Sequence, residues 1–135
     1  MSKDKTYQHS IEFEVRDYEV DLQGVVNNAN YMHYLEHARH KFLLSKNIGF
    51  EALHKEGKDL IVTKAEMRYR LPLRSGDSFV IKSNIMKEGN VQVAFEQDIF
   101  KLPDNKLVLT AKITGACTYN GRPIVPSEVF SALDL

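Results

Sequence analysis

Hydrophobic and polar residues alternate at the start of the chain: Ile11, Phe13 and Val15 are interleaved with Ser10, Glu12, Glu14 and Arg16. A period of two predicts a half-buried strand. Over residues 28–46 the period changes. At 100° per residue Met32, Leu35, Ala38, Phe42 and Leu43 gather on one side of a helical wheel, and His33, His37 and Lys41 on the other. That pattern predicts one amphipathic helix of about five turns. Gly49 allows a break, and residues 50–56 read as one or two further turns that stop at Gly57.

Beyond Gly57 the chain reads as sheet. Ile61, Thr63, Ala65, Met67, Tyr69 and Leu71 alternate with Val62, Lys64, Glu66, Arg68 and Arg70 up to Pro72, and PLRSGD makes a turn. Phe79, Ile81, Ser83 and Ile85 form the next strand. Glu88-Gly89-Asn90 and Pro103-Asp104-Asn105 mark hairpins on either side of a strand through Val93, Phe95, Gln97 and Ile99, and a last long strand covers residues 107–119 before a short tail. Sequential hairpins favour an antiparallel sheet, and the long helix must lay its apolar stripe across one sheet face. The expectation is an α+β fold, five antiparallel strands with a single dominant helix. One helix leaves sheet edges and part of a face uncovered, which predicts self-association.

Composition narrows the function classes. The 135 residues carry 18 basic and 18 acidic side chains, so no global field recruits nucleic acid or an anionic membrane surface. The only cysteine, Cys117, has no internal partner and suits a reducing compartment. MSKDKTYQHS is polar, and no stretch approaches the roughly 20 apolar residues of a membrane span. The sequence therefore reads as one domain over residues 1–135 of a cytoplasmic protein, with no nucleic-acid partner and no membrane insertion.

The stretch VDLQGVVNNANYMHYLEHAR places a lone acid, Asp21, just ahead of two asparagines and the helix start. With Tyr18, Gly24, Val26, Asn27, Asn28, Ala29 and Tyr31, then Leu35-Glu36 and Ala38-Arg39, it resembles the hotdog-fold acyl-CoA thioesterases of the 4-hydroxybenzoyl-CoA thioesterase type. The Leu71-Pro72-Leu73 and Gly76-Asp77 stretch extends the resemblance over nearly the whole chain. It implies a hotdog fold, a sheet wrapped around one central helix whose N-terminus faces the thioester carbonyl. Free amides and the positive helix end there stabilise a developing oxyanion. By the same resemblance Asn28 is the position whose backbone N–H polarises the carbonyl, and Asp21 is the catalytic carboxylate, as nucleophile or as general base on water. Gly24, Asn27, Tyr31, Thr63 and Lys87 are candidate substrate contacts. The implied reaction converts an acyl-CoA to a free acid and coenzyme A with no cofactor, since coenzyme A belongs to substrate and product. The implied assembly is a homodimer, or a tetramer of paired dimers.

Two departures matter. Many relatives read D-T-D where this chain has Glu19-Val20-Asp21, which leaves Glu19 without an implied role, and many carry histidine where Val25 stands. A thiolate leaves without an acid, so the reaction does not require that histidine. Hydratases of the same fold use an aspartate and histidine pair, which is absent here; an acyl-carrier-protein thioesterase and a non-catalytic acyl-thioester binding module are the alternatives. His33, His37 and His40 have a spacing that can present imidazoles to a metal, but a solvated helix face explains them, and no metal is expected. Arg39 falls near the apolar stripe, where a charge needs a partner; Glu36 is the local candidate, and a carboxylate across an interface the other. Cys117 reads as a small core residue, and Lys87, Arg74 and Arg122 lie near turns, where they are available to phosphates.

Overall fold

The computed structural model describes residues 5–135. In chain order the elements are β1 (His9–Glu14), a 3-10 turn (Asp17–Glu19), α1 (Asn28–Ser45), α2 (Phe50–Lys55), β2 (Lys58–Tyr69), β3 (Ser78–Glu88), β4 (Gln92–Lys101), β5 (Lys106–Tyr119), β6 (Arg122–Ile124) and α3 (Ser127–Ala132). The sheet is antiparallel with strand order β1-β3-β4-β5-β2, and β6 pairs with the last residues of β5. The five strands expected from periodicity are therefore six, because the three residues of β6 are too few to show a period. The tail likewise folds back as α3, which brings Val129, Phe130 and Leu133 into the apolar core.

α1 lies across one sheet face, the hotdog arrangement. Leu35, Ala38, Phe42 and Leu43 have no exposed surface, and His33, His37 and Lys41 face outward, as the wheel requires. Met32 is only half-buried, and its place in the core is taken by Tyr31 and Tyr34. Phe79 and Ile81 of β3, Ile99 of β4 and Leu109 and Ile113 of β5 supply the facing sheet surface. The helix ends at Asn47 rather than at Gly49: Asn47 has φ 63°, the left-handed geometry that closes a helix, while Gly49 at φ −108° starts α2. No helix among the described residues is long and apolar enough to cross a membrane.

β2 departs from strict alternation. Its pairing with β5 shifts between Val62 and Lys64, so Thr63 is an extra residue and the side-chain phase changes there. Leu60 and Val62 thus pair with Cys117 and Gly115, on the same face as Ala65 and Met67 opposite Ile113 and Ala111. The uninterrupted series from Ile61 through Thr63 to Tyr69 is corrected accordingly. Gly115 is what lets β2 approach: a Cβ there would stand 3.2 Å from the Ile61 carbonyl oxygen. As the outer strand β2 is poorly covered, with Ile61 48% and Val62 49% exposed.

Candidate functional site

The segment before α1 is a closed loop held from three sides. Val20 and Val26 form an antiparallel bridge, and the Asp21 N–H donates to the Val25 carbonyl at 2.8 Å. Gly24 turns the chain at φ 78°, a conformation that favours glycine, and its N–H donates to the Asp21 carbonyl at 2.9 Å. Within this turn the exposed Asp21 carboxylate accepts the N–H groups of Gln23 at 2.9 Å and Val25 at 3.3 Å through one oxygen, Oδ1. With Gln23's amide nitrogen turned toward it, that side chain also donates at 3.2 Å. Asp21 is thus oriented by its own loop while remaining open to solvent.

The helix start is equally explicit. Asn27 is the N-cap, and its Oδ1 accepts the Ala29 N–H at 2.9 Å; the Asn30 N–H goes to the Asn27 carbonyl at 2.9 Å. Among the described residues no acceptor takes the N–H of Asn28. The capping asparagine satisfies its neighbours and leaves that one amide without an acceptor at the positive end of an 18-residue helix.

Glu19, unassigned by the sequence, ties loop to helix. Its carboxylate accepts the Arg16 N–H and the Tyr34 hydroxyl, both at 2.8 Å, and its carbonyl accepts the Asn27 N–H at 3.3 Å and the Asn30 side-chain amide at 2.8 Å. Burial together with the hydrogen bond to Glu19 raises the Tyr34 phenol well above its usual range. Tyr31 is buried, and its hydroxyl accepts the Leu73 N–H at 3.0 Å, while the Val26 N–H donates to the Leu73 carbonyl at 2.8 Å and Val25 bridges Arg74. The PLRSGD turn is therefore the platform on which the Asp21 loop rests. Burial raises the Tyr31 phenol too, and the Leu73 N–H partly offsets it.

The other residues singled out by sequence lie farther along the fold. Thr63 sits at the β2 bulge, where its hydroxyl donates to the Thr114 carbonyl at 3.3 Å and accepts from Gln92 at 3.2 Å. Lys87 is exposed at the end of β3, with its ammonium 4.7 Å from the Phe130 ring centre. Cys117 is buried and unpaired, and burial raises its thiol. Among the described residues no group of three or more His, Cys, Asp or Glu is placed to hold a metal ion.

Arg39 departs most from expectation. It is 6% exposed, and its ion pair with Glu36 is absent: none of the ion pairs among the described residues includes it. Instead its Nη1 donates to Gln97 Oε1 at 3.0 Å. Gln97, itself fully buried in β4, is locked by donating to the Leu35 carbonyl and to Ser83 Oγ, each at 3.1 Å. Burial lowers the Arg39 guanidinium to about 10, a shift that the charge of Glu36 opposes, so it remains a cation at neutral pH. Arg39 and Gln97 are 58 residues apart, beyond the reach of any local pattern.

Residues 15–133 match the family model of the thioesterase-like superfamily. The chain belongs to that superfamily. A chloroplastic acyl-acyl carrier protein thioesterase of Arabidopsis thaliana is 44% identical over 125 residues, covering 91% of this chain and 66% of that protein, so the chain spans just under two thirds of its length. The long-chain acyl-CoA thioesterase of Escherichia coli is 28% identical over 106 residues, covering 78% of this chain and 80% of that one. Among solved structures, a 1,4-dihydroxy-2-naphthoyl-CoA thioesterase from Synechocystis superposes with a TM-score of 0.86 at 16% identity, covering 93% of this chain and 94% of the other, which shows the shared hotdog fold.

Proposed function

We propose that the protein is a thioesterase that hydrolyses an acyl-CoA to a free carboxylic acid and coenzyme A. The observation that carries the reading is the pairing, across one short closed loop, of an exposed oriented carboxylate at Asp21 with the unclaimed N–H of Asn28. The substrate carbonyl accepts the Asn28 N–H, and Asp21 either attacks the carbonyl carbon or takes a proton from an attacking water. In both routes a tetrahedral oxyanion forms against the helix N-terminus, the carbon–sulfur bond breaks and the thiolate leaves; where Asp21 itself attacks, water then cleaves the acyl-Asp21 anhydride and restores the carboxylate, and in either case water supplies the hydroxyl of the acid and the proton of the thiol. Glu19 and Tyr31 position the loop, and Gly24 gives it its turn. Thr63 is taken as a contact for the acyl group, and Lys87, beside the turn between β3 and β4, as a contact for the phosphates of coenzyme A.

The exposed edge of β2, with Ile61 and Val62 half uncovered beside it, supports a homodimer joined through that strand, or a tetramer of such dimers. A single domain and a reducing, cytoplasmic setting complete the proposal, the latter on the lone unpaired cysteine.

A second reading has a specific observation behind it. The 44% identity to an acyl-acyl carrier protein thioesterase favours a carrier-protein thioester as substrate, with the same chemistry at Asp21 and Asn28. Release of thiol from matched acyl-CoA and acyl-carrier-protein thioesters, measured side by side with light scattering on the same sample, tests all of this. Turnover of the CoA series by a dimer is the expected result. Turnover of the carrier-protein series alone selects the second reading, and binding of both without turnover reduces the protein to an acyl-thioester binding module.

A further inference from the structure

Asp77 lies outside the pairing of Asp21 with Asn28, yet an unbroken series of hydrogen bonds joins it to the Asp21 loop. Its Oδ2 accepts the Arg74 N–H at 2.8 Å, and its own N–H donates to the Arg74 carbonyl at 3.0 Å, so one residue closes the turn twice. Val15, just beyond β1, secures the other side of the turn. Its N–H donates to the Asp77 carbonyl at 2.9 Å, and its carbonyl accepts the Gly76 N–H at 3.0 Å. Arg74 bridges Val25, whose N–H donates to Asp21 Oδ1 at 3.3 Å and whose carbonyl accepts the Asp21 N–H at 2.8 Å. Leu73 takes the Val26 N–H at 2.8 Å and gives its own N–H to the hydroxyl of Tyr31, three residues beyond Asn28 on α1, at 3.0 Å. Glu19 holds the loop at its Val20 end; residues 73–77 hold it at Val25 and Val26, and hold the first turn of the helix as well.

We infer that Asp77 is a positioning residue for thioester hydrolysis: by closing the 73–77 turn it fixes the Asp21 carboxylate relative to the Asn28 N–H. The inference rests on the thioesterase reading for the roles of those two groups. Asp21 is exposed and sits in a short loop, so its aim depends on what the loop is fastened to, and a misplacement of about 1 Å costs roughly a hundredfold in rate. The Asp77 side chain is itself only 21% exposed, and Lys101, with Nζ 3.6 Å from the same oxygen that Arg74 uses, balances its charge. That carboxylate is thus shielded from the water that would otherwise compete for the turn N–H.

The test measures kcat and KM of the intact protein with dodecanoyl-CoA, well below the melting temperature, for the parent, Asp77→Ala and Asp77→Asn. Asp77→Ala leaves the Arg74 N–H without its acceptor, so kcat should fall at least about tenfold, part of the loss a 1 Å misplacement brings, with KM little changed. Asp77→Asn keeps an acceptor oxygen and should recover most of the lost turnover. A merely structural role would lower the melting temperature and leave kcat of the folded protein at the parental level, and that result overturns the inference. In the Asp21→Asn background Asp77→Ala should have little further effect on residual turnover; an undiminished loss there overturns the inference too, since the effect would not pass through Asp21. If Asp77→Ala does not fold, Asp77→Ser, with a shorter and weaker acceptor, is judged by the same criteria. A parent protein that hydrolyses neither dodecanoyl-CoA nor the matched carrier-protein thioester ends the thioesterase reading, and amide hydrogen exchange then decides the positioning without any turnover. Asp77→Ala should speed exchange at the Asp21, Gly24 and Val26 amides about tenfold relative to those of β3 and β4, the equivalent of about one lost hydrogen bond. Unchanged exchange at all three overturns the inference.

Discussion

Asp21→Asn separates the structural work of this side chain from its chemistry. In the folded protein Asp21 Oδ1 accepts two turn N–H groups, from Gln23 and Val25. An asparagine keeps a carbonyl oxygen in that place, so the loop retains both bonds in weaker, uncharged form. The loss is within about 1 kcal/mol, or a few degrees of melting temperature in a chain of this size. The negative charge and the basicity disappear altogether, and a positioned base or nucleophile contributes roughly 10²–10⁴-fold. Turnover should therefore fall at least about a hundredfold in kcat with nearly unchanged melting. Asp21→Ala also removes the acceptor, so it should lose activity equally and melt lower. Asn28→Ala keeps the backbone N–H and should be much milder than Asp21→Asn. The assay follows thiol release from an acyl-CoA with a chromogenic thiol reagent, beside a circular-dichroism melt of the same preparation. Parental turnover by Asp21→Asn would refute the mechanism. It would redirect attention to Glu36, which is exposed on α1, rather than to Glu19, whose carboxylate is already engaged by Tyr34 and Arg16.

Three further outcomes are expected. Phe42→Ala removes a fully buried ring stacked on His9 at 5.1 Å and edge-on to Phe95 at 6.2 Å. It should cost about 3–5 kcal/mol, read as a lower denaturant midpoint at fixed protein concentration; an unchanged midpoint would show that the helix phase is wrong. Glu19→Ala leaves the Tyr34 hydroxyl without its acceptor and unties the loop from α1, so stability should drop by about 1–3 kcal/mol and kcat should fall while Asp21 is intact. If both stay at the parental level, Glu19 is not a positioning residue. Burial lowers the His9 imidazole below its ordinary value, so the unfolded chain binds the extra proton first as pH falls. Stability should accordingly decline on acidification through the ordinary histidine range near pH 6.5 and below. His9→Phe should flatten that slope in melting temperatures taken from pH 7.5 to 5, and an identical slope would count against the assignment.

The sequence by itself determined the elements whose signal is local. Alternation gave β1, β3, β4 and β5, the 3.6-residue period gave α1 and its buried face, and asparagine chemistry gave the helix start. The same short stretch carried Asp21 and Asn28, because loop, cap and first turn are contiguous in the chain. What the tertiary structure decided involves partners distant in sequence or residues too few to have a period. The bulge at Thr63 arises from pairing with β5, and no feature of residues 58–69 alone announces where the phase will change. The three residues of β6 exist only because the end of β5 offers open hydrogen-bonding groups beside them. Arg39 looked to Glu36, its neighbour on the helix, yet its partner is Gln97 across the core; packing α1 on β4 buried the arginine and left a neutral amide as the acceptor within reach. Glu19 likewise acquired its role only when the loop folded against Tyr34 and Asn30, since a hydrogen bond made 11 or 15 residues away depends on how the chain returns, not on the residues adjacent to it.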